Sequence, residues 1–123
     1  MRNILFLAFG AALTFGNISA QAADLAAGEK VFKKCKACHS LEEGKKKVGP
    51  SLFGVVGGPA AGMKGFKYSK TMRESGLTWD EATLDAYLEN PRKFLKGNRM
   101  AFPGLKKPED RENVIAYIRE NAK

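Results

Sequence analysis

The sequence predicts an all-α domain of three to five short helices joined by long loops. Apolar residues recur at helical spacing in short stretches of the 123-residue chain, and no segment shows the period-two alternation typical of a strand. Two glycine-bearing segments, 44–50 and 54–65, are longer than ordinary turns, and loops of that length usually wrap around something. Aromatic residues that need burial lie in and around them: Phe53, Phe66, Tyr68 and Trp79.

Capping residues predict where the helices begin. Asp24 is a suitable N-cap for a first helix, and a periodic inward face follows it. That face consists of Leu25, Gly28, Phe32 and Cys35. The Cys35 segment therefore lies at the end of this helix.

The middle of the chain predicts two more helices. One short helix runs from Ser69 to Glu74, before Gly76. Thr78 and Glu81 fit a capping box, in which each side chain bonds to the backbone N–H group of the other. The helix that follows would bury Leu84, Tyr87 and Leu88.

Two further helices complete the prediction. Asn90 can cap a short helix with Pro91 in its first position, and Gly97 can end it. The last helix opens at Pro108, followed by acidic residues that suit the positive end of a helix dipole. Its buried side would be Val114, Ile115 and Ile118.

Residues 1–22 have the pattern of a secretory signal peptide. Arg2 precedes an uncharged apolar run that ends in small residues before Ala22, and the run is shorter than the ~20 residues that span a bilayer. Cleavage near Ala22 would leave one domain, residues 23–123, outside the cytoplasm. An uncleaved anchor and cleavage after Ala20 are the alternatives.

The charge balance is strongly basic. The full chain has a formal charge of +8, and Arg2 is the only charged residue within the signal segment. Such an excess favours acidic partners, which include proteins, anionic lipids and nucleic acids, and charge does not choose among them. A domain of about 100 residues also has a modest core that a large buried cofactor would help to stabilise.

The segment Cys35-Lys-Ala-Cys38-His39 contains both cysteines and the only histidine. A thioredoxin-like motif would begin a helix in a βαβ context, and a zinc site would need a fourth ligand from a chain with no further Cys or His. A disulfide across two intervening residues would constrain the unfolded chain little. Covalent attachment of a c-type haem through Cys35 and Cys38, with His39 as an iron ligand, explains all three residues.

The second axial position of the iron has several candidate ligands. With no other histidine, the choices are methionine, lysine, another polar side chain or an open position. Met63 lies in a glycine-rich loop and Met72 on a predicted helix, where packing is the usual role of methionine. Met100 follows a helix end in an extended segment that can cross the haem face opposite His39, which favours it over Met63.

From Asp24 to its C-terminus the chain resembles the class I cytochromes c, especially the bacterial cytochrome c2 and mitochondrial-like branch. The matching stretches include the Cys35–His39 motif, Val48-Gly-Pro-Ser-Leu52, Leu77-Thr-Trp79 and Tyr87-Leu-Glu-Asn-Pro-Arg-Lys-Phe94, which leads to Met100. The resemblance implies a small cytochrome c fold around one haem, with Met100 as the second ligand.

The resemblance also implies roles for neighbouring residues. The Pro50 carbonyl would accept a hydrogen bond from His39, Tyr68 and Trp79 would meet a haem propionate, and the Tyr87 hydroxyl would lie near the methionine sulfur. Asn98 would bond to the propionates or to the ligand loop. Gly28 and Phe32 would contact Tyr117 of the last helix.

One position departs from the resemblance. Many relatives have Gly-x-x-Gly-Arg here, with the arginine neutralising a propionate, whereas Gly54-Val-Val-Gly57 is followed by Gly58. The pH dependence of the potential is therefore left open by the sequence.

The combined expectation is a periplasmic, monomeric electron carrier and not an enzyme. The resemblance implies a cytochrome bc1-type donor and an oxidase, peroxidase or photosynthetic reaction centre as acceptor, reached by transient docking. Two other classes of protein remain. A haem enzyme or gas sensor would need an open distal position on the iron. A nucleic-acid-binding module is the other class, and the predicted export and the use of both cysteines in the motif argue against it.

Overall fold

The computed structural model describes residues 22–123. Five helices follow one another along the chain: α1 Leu25–Phe32, α2 Lys70–Glu74, α3 Glu81–Glu89, α4 Pro91–Phe94 and α5 Pro108–Asn121. Within this part of the chain the only β pairing is an isolated antiparallel bridge between Pro59 and Thr78. The all-α prediction is therefore confirmed. The predicted signal segment, residues 1–22, lies outside the described residues except for Ala22.

Packing of α1 against α5 forms the centre of the fold. The Phe32 and Tyr117 rings lie 5.5 Å apart between their centroids. A Cβ atom on Gly28 would lie 2.2 Å from the Asn113 carbonyl oxygen, so only glycine allows this close approach. The Asn113 side chain also accepts a hydrogen bond from the Asp24 backbone N–H at 2.9 Å, which ties the start of α1 to α5.

A small apolar core surrounds this contact. Its buried members are Phe32, Leu105, Val114, Ile115, Ile118 and Ala122. Buried Arg111 of α5 donates from Nε to Asp85 of α3 at 2.7 Å and from an Nη atom to the Leu105 carbonyl oxygen at 2.9 Å. These bonds join α3, α5 and the segment before α5.

The predicted starts are confirmed in four helices and wrong in one. Asp24, Ser69 and Asn90 accept backbone N–H groups at the starts of α1, α2 and α4, and α5 begins at Pro108 as expected. The cap of α3, however, is Asp80, whose Oδ1 accepts the Thr83 N–H at 2.7 Å.

Long-range backbone pairing explains why Thr78 does not cap α3. The backbone groups of residues 77–79 bond to those of residues 57–60, which keeps Thr78 extended. The capping-box partner Glu81 pairs instead with Arg119 of α5. A second boundary also differs, because α4 ends at Phe94 and Gly97, with φ +90°, lies in the turn beyond it.

Within residues 22–123, no helix has both the length and the apolar character needed to cross a membrane.

Candidate functional site

Consecutive turns directly after α1 present the Cys35–His39 segment. The Cys35 carbonyl oxygen accepts the N–H groups of Cys38 at 3.1 Å and His39 at 2.9 Å, so the three side chains lie within one helical turn. Cys35 is half-buried, Cys38 is exposed, and neither forms a disulfide. Burial raises the pKa of the Cys35 thiol, although nearby Lys34 acts in the opposite direction.

The His39 ring is held by a single backbone carbonyl. Its Nδ1 lies 2.7 Å from the Pro50 oxygen. A carbonyl oxygen only accepts hydrogen bonds, so Nδ1 carries the proton and Nε2 has its lone pair free for a metal. Burial lowers the pKa of His39; the bond to Pro50 opposes this shift, and Lys47 adds to it. The geometry and the charge environment therefore both favour a neutral ring that presents Nε2.

Gly49 lies close against this ring. A Cβ atom at this position would lie 2.5 Å from His39 Cε1 and 2.8 Å from Nδ1. The Gly49 N–H donates to the Cys38 carbonyl oxygen at 2.8 Å, which fixes the glycine beside the motif. Gly49 was not predicted as a site residue, and the one sequence feature that points to it is its position immediately before Pro50.

Asn98 holds the Met100 segment in place. Its Oδ1 accepts the Met100 N–H at 2.9 Å, and its Nδ2 donates to the carbonyl oxygens of Pro91 at 2.9 Å and Leu95 at 2.8 Å. The propionates and the ligand loop were the two partners expected for Asn98, and these bonds are to the ligand loop. The side chain thereby joins the end of α4 to the residue expected to bind iron.

The Tyr87 hydroxyl lies beside the Met100 sulfur. It lies 3.9 Å from Sδ of Met100 and 3.4 Å from Oδ1 of Asn98. Burial raises the pKa of Tyr87 to about 12, so the hydroxyl stays protonated and remains a donor at neutral pH. The Trp79 ring, which is buried, packs against Tyr87 with 4.9 Å between centroids.

Met63, the alternative ligand, is engaged elsewhere. Its Sδ accepts the Ser51 N–H at 3.2 Å, and its own N–H donates to the Tyr68 hydroxyl oxygen at 2.9 Å. Ser51 directly follows Pro50, so Met63 lies beside the segment that holds His39. Sequence reasoning missed this contact because nothing in the local pattern links residues 51 and 63.

The Gly58 position has no room for the side chain that many relatives carry. A Cβ atom there would lie 2.7 Å from the Gly54 carbonyl oxygen, which is a backbone atom. Gly58 also pairs through its carbonyl oxygen with the Trp79 N–H at 2.8 Å. The local backbone therefore accounts for glycine in place of arginine.

The residues present fit a covalently bound haem. Two thiols for thioether bonds, an imidazole nitrogen and a thioether sulfur form the donor set that such a group requires. Half-buried apolar side chains packed on the core leave carbon surface for a large flat apolar group to cover: Leu52, Val55, Val56, Leu84, Leu88 and Phe102.

Comparison with known proteins gives one consistent result. The cytochrome c family model matches residues 25–122. Cytochrome c2 of Rhodomicrobium vannielii is 49% identical over 119 residues, covering 96% of this chain and 95% of the relative. Cytochrome c2 iso-2 of Magnetospirillum fulvum is 54% identical over 88 residues, covering 72% and 92%.

A solved structure agrees with these sequence matches. Cytochrome cH from Methylobacterium extorquens superimposes with a TM-score of 0.76 at 45% identity, covering 80% of this chain and 99% of that one. The chain therefore belongs to the cytochrome c family, in the class I branch that contains the cytochromes c2, and is an electron carrier, not an enzyme, with haem c bound covalently through Cys35 and Cys38.

Proposed function

We propose that this protein is a monomeric periplasmic one-electron shuttle with His39 and Met100 as the axial ligands of its haem. Its donor is a cytochrome bc1-type complex, and its acceptor is a terminal oxidase, a peroxidase or a photosynthetic reaction centre. The relatives named cytochrome c2 come from bacteria, which supports a periplasmic location.

The observation that carries the proposal is the fixed orientation of His39. The Pro50 carbonyl holds the proton on Nδ1, so Nε2 is a ready ligand that does not have to lose a proton or turn before it binds iron. A hydrogen bond of this kind also raises the basicity of the ligating nitrogen. His39 is thus prepared for strong donation to a metal bound on its Nε2 side.

Met100 provides a ligand of different character. Its thioether is soft and uncharged and favours the softer Fe(II) state. Asn98 fixes its backbone and Tyr87 lies beside its sulfur, so the side chain is restrained before any metal binds. Bound by both His39 and Met100, the iron would have no position open to a substrate or a diatomic gas.

Haem c supplies the iron that takes up and releases one electron. The surrounding chain keeps water from the rings beside Met100, since Trp79 and Tyr87 are each only 6% exposed. A dry environment disfavours added positive charge and raises the potential. Tyr68 and Trp79 are proposed to bond to a haem propionate, and the Tyr68 hydroxyl hydrogen is free for this because its oxygen accepts from Met63.

Exposed cations provide the docking surface. They flank the haem-binding segments and make no ion pair within residues 22–123. This basic surface consists of Lys33, Lys34, Lys36, Lys64, Lys93, Lys96, Arg99, Lys106 and Lys107. Unpaired surface charges steer an acidic partner quickly without binding it tightly, which suits a shuttle and explains transient docking to membrane complexes.

Export is proposed from residues 1–22. Cleavage near Ala22 would place the new amino terminus next to half-buried Ala23, just before the bond from Asp24 that anchors α1. The basic charge then serves redox partners, with no role in nucleic-acid binding.

Cell fractionation and partner kinetics test this function together. The periplasmic fraction should contain a protein whose mass equals residues 23–123 plus one haem. A purified bc1-type complex should reduce it at a rate that falls about tenfold or more as the salt concentration rises from 10 mM to a few hundred millimolar. Haem-free protein in the cytoplasm, or rates that do not depend on salt, would contradict the proposal.

A further inference from the structure

The peptide group between Pro50 and Ser51 is hydrogen-bonded at both ends. Its carbonyl oxygen accepts from His39 Nδ1 at 2.7 Å, and its N–H donates to the sulfur of Met63 at 3.2 Å. Ser51 is only 8% exposed, so water is a poor substitute for the sulfur. Because the peptide is conjugated, an acceptor on its N–H increases the negative charge on its oxygen. The Met63 contact therefore strengthens the bond that Pro50 makes to His39.

The Ser51 side chain fixes the plane of this peptide. Its hydroxyl donates to the Glu42 carbonyl oxygen at 2.5 Å and accepts the Phe53 N–H at 3.1 Å. The peptide therefore cannot turn freely to find another acceptor when the sulfur is removed.

Met63 is itself held from the opposite side. Its N–H donates to the Tyr68 hydroxyl oxygen at 2.9 Å, and the Tyr68 ring packs on Phe66 in a T-shaped arrangement with 4.8 Å between centroids. A chain of three hydrogen bonds thus leads from Tyr68 through Met63 and the Pro50–Ser51 peptide to His39.

We propose that Met63 is a positioning residue that tunes the iron through His39, by polarising the Pro50–Ser51 peptide. The role rests on His39 being an axial ligand, as proposed above. A stronger acceptor for Nδ1–H gives the ring partial imidazolate character, which stabilises Fe(III) relative to Fe(II). Met63 therefore lowers the reduction potential, in opposition to the effect of Met100.

Two substitutions separate hydrogen bonding from packing. Met63→Leu keeps an apolar side chain of similar volume and removes the acceptor. Met63→Gln restores an acceptor oxygen on a side chain of similar length. Met72→Leu is the matched control, since Met72 is also half-buried and its sulfur accepts no hydrogen bond within the part of the chain that the structure describes.

The readouts are the potential and the NMR signals of the reduced protein. In Met63→Leu the equilibrium constant for reduction of the haem by a common mediator should rise roughly twofold. An effect of this size is expected because the Ser51–Met63 hydrogen bond strengthens the neighbouring Pro50–His39 bond only by a modest fraction. The Nδ1–H signal of His39 should move upfield, and the Ser51 amide should exchange faster with solvent. Met63→Gln should return all three toward wild type, and Met72→Leu should change none.

The outcomes distinguish this role from the proposed function. A wild-type protein without a low-spin spectrum would mean that the axial pair itself is wrong. A normal wild-type spectrum combined with an unchanged potential and Nδ1–H signal in Met63→Leu would overturn the role of Met63 alone. Equal effects of leucine and glutamine would also overturn it, because Met63 would then act only by filling space.

Discussion

Replacement of Gly49 by alanine is expected to disturb the His39 ligand directly. The added methyl carbon would lie 2.5 Å from Cε1 of the His39 ring, where ordinary contact begins at 3.4 Å. Either the ring or the backbone around Gly49 must move by about 0.9 Å, the difference between these two distances. A shift of that size along the Nδ1 bond to Pro50, now 2.7 Å, would lengthen it beyond the usual range for a hydrogen bond.

The magnitude follows from three contributions. Overpacking of a well-packed site costs about 1–3 kcal/mol. Loss of one hydrogen bond adds about 0.5–1.5 kcal/mol. The lower entropy of the unfolded alanine variant offsets about 0.4–1 kcal/mol of this. Gly49→Ala should therefore destabilise the protein by about 2 kcal/mol, and part of that loss arises at the iron ligand.

Urea unfolding and absorption spectra of the haem-loaded variant measure both effects. The free energy of unfolding should fall, and part of the oxidised protein should become high-spin as His39 moves away from the iron. Gly44→Ala is the control in the same loop, because its Cβ would meet nothing within 4 Å although its φ is +72°. It should lose stability through backbone strain without a change in spectrum. A Gly49→Ala variant with wild-type stability and a wild-type spectrum would refute this reasoning.

Three further predictions test the fold and the site. Ala61 has a φ of +57°, the only positive value at a non-glycine residue within the described chain, so Ala61→Gly should relieve strain and raise the free energy of unfolding by about 0.5–1 kcal/mol in urea titrations. Tyr87 has its pKa raised from 10.0 to about 12, so the folded state keeps the proton that the unfolded state loses, and stability should fall by about 2–3 kcal/mol between pH 10 and 12. That alkaline loss should be absent in Tyr87→Phe, and its persistence would show that another group causes it. Asp80 caps α3 and Thr78 does not, so Asp80→Ala should lower the melting temperature more than Thr78→Ala, and the reverse order would contradict the observed cap.

Local patterns were sufficient to predict most of the helices. The cap of α1 at Asp24 and the Asn90-Pro91 start of α4 depend on residues within one turn, and the structure contains both. The Cys35–His39 motif likewise carried the haem prediction because its chemistry lies within five consecutive residues.

Contacts between distant segments account for what local patterns could not predict. The cap of α3 is Asp80 and not the predicted Thr78, because residues 77–79 pair with residues 57–60. Such long-range pairing cannot be predicted from local sequence patterns. The contact of Gly49 with His39 and that of Met63 with Ser51 were missed for the same reason, since only the folded chain brings these residues together. Sequence patterns thus identified the candidate ligands, and the structure identified the residues that hold them.

The identity of the second axial ligand is the central claim, and absorption spectroscopy tests it most directly. The wild-type protein, Met100→Ala and Met63→Ala should be purified with haem and recorded in both oxidation states. The account predicts a low-spin spectrum with the weak far-red band of sulfur bound to Fe(III), lost in Met100→Ala and retained in Met63→Ala. A high-spin wild-type spectrum, or a far-red band that survives in Met100→Ala and disappears in Met63→Ala, would contradict it.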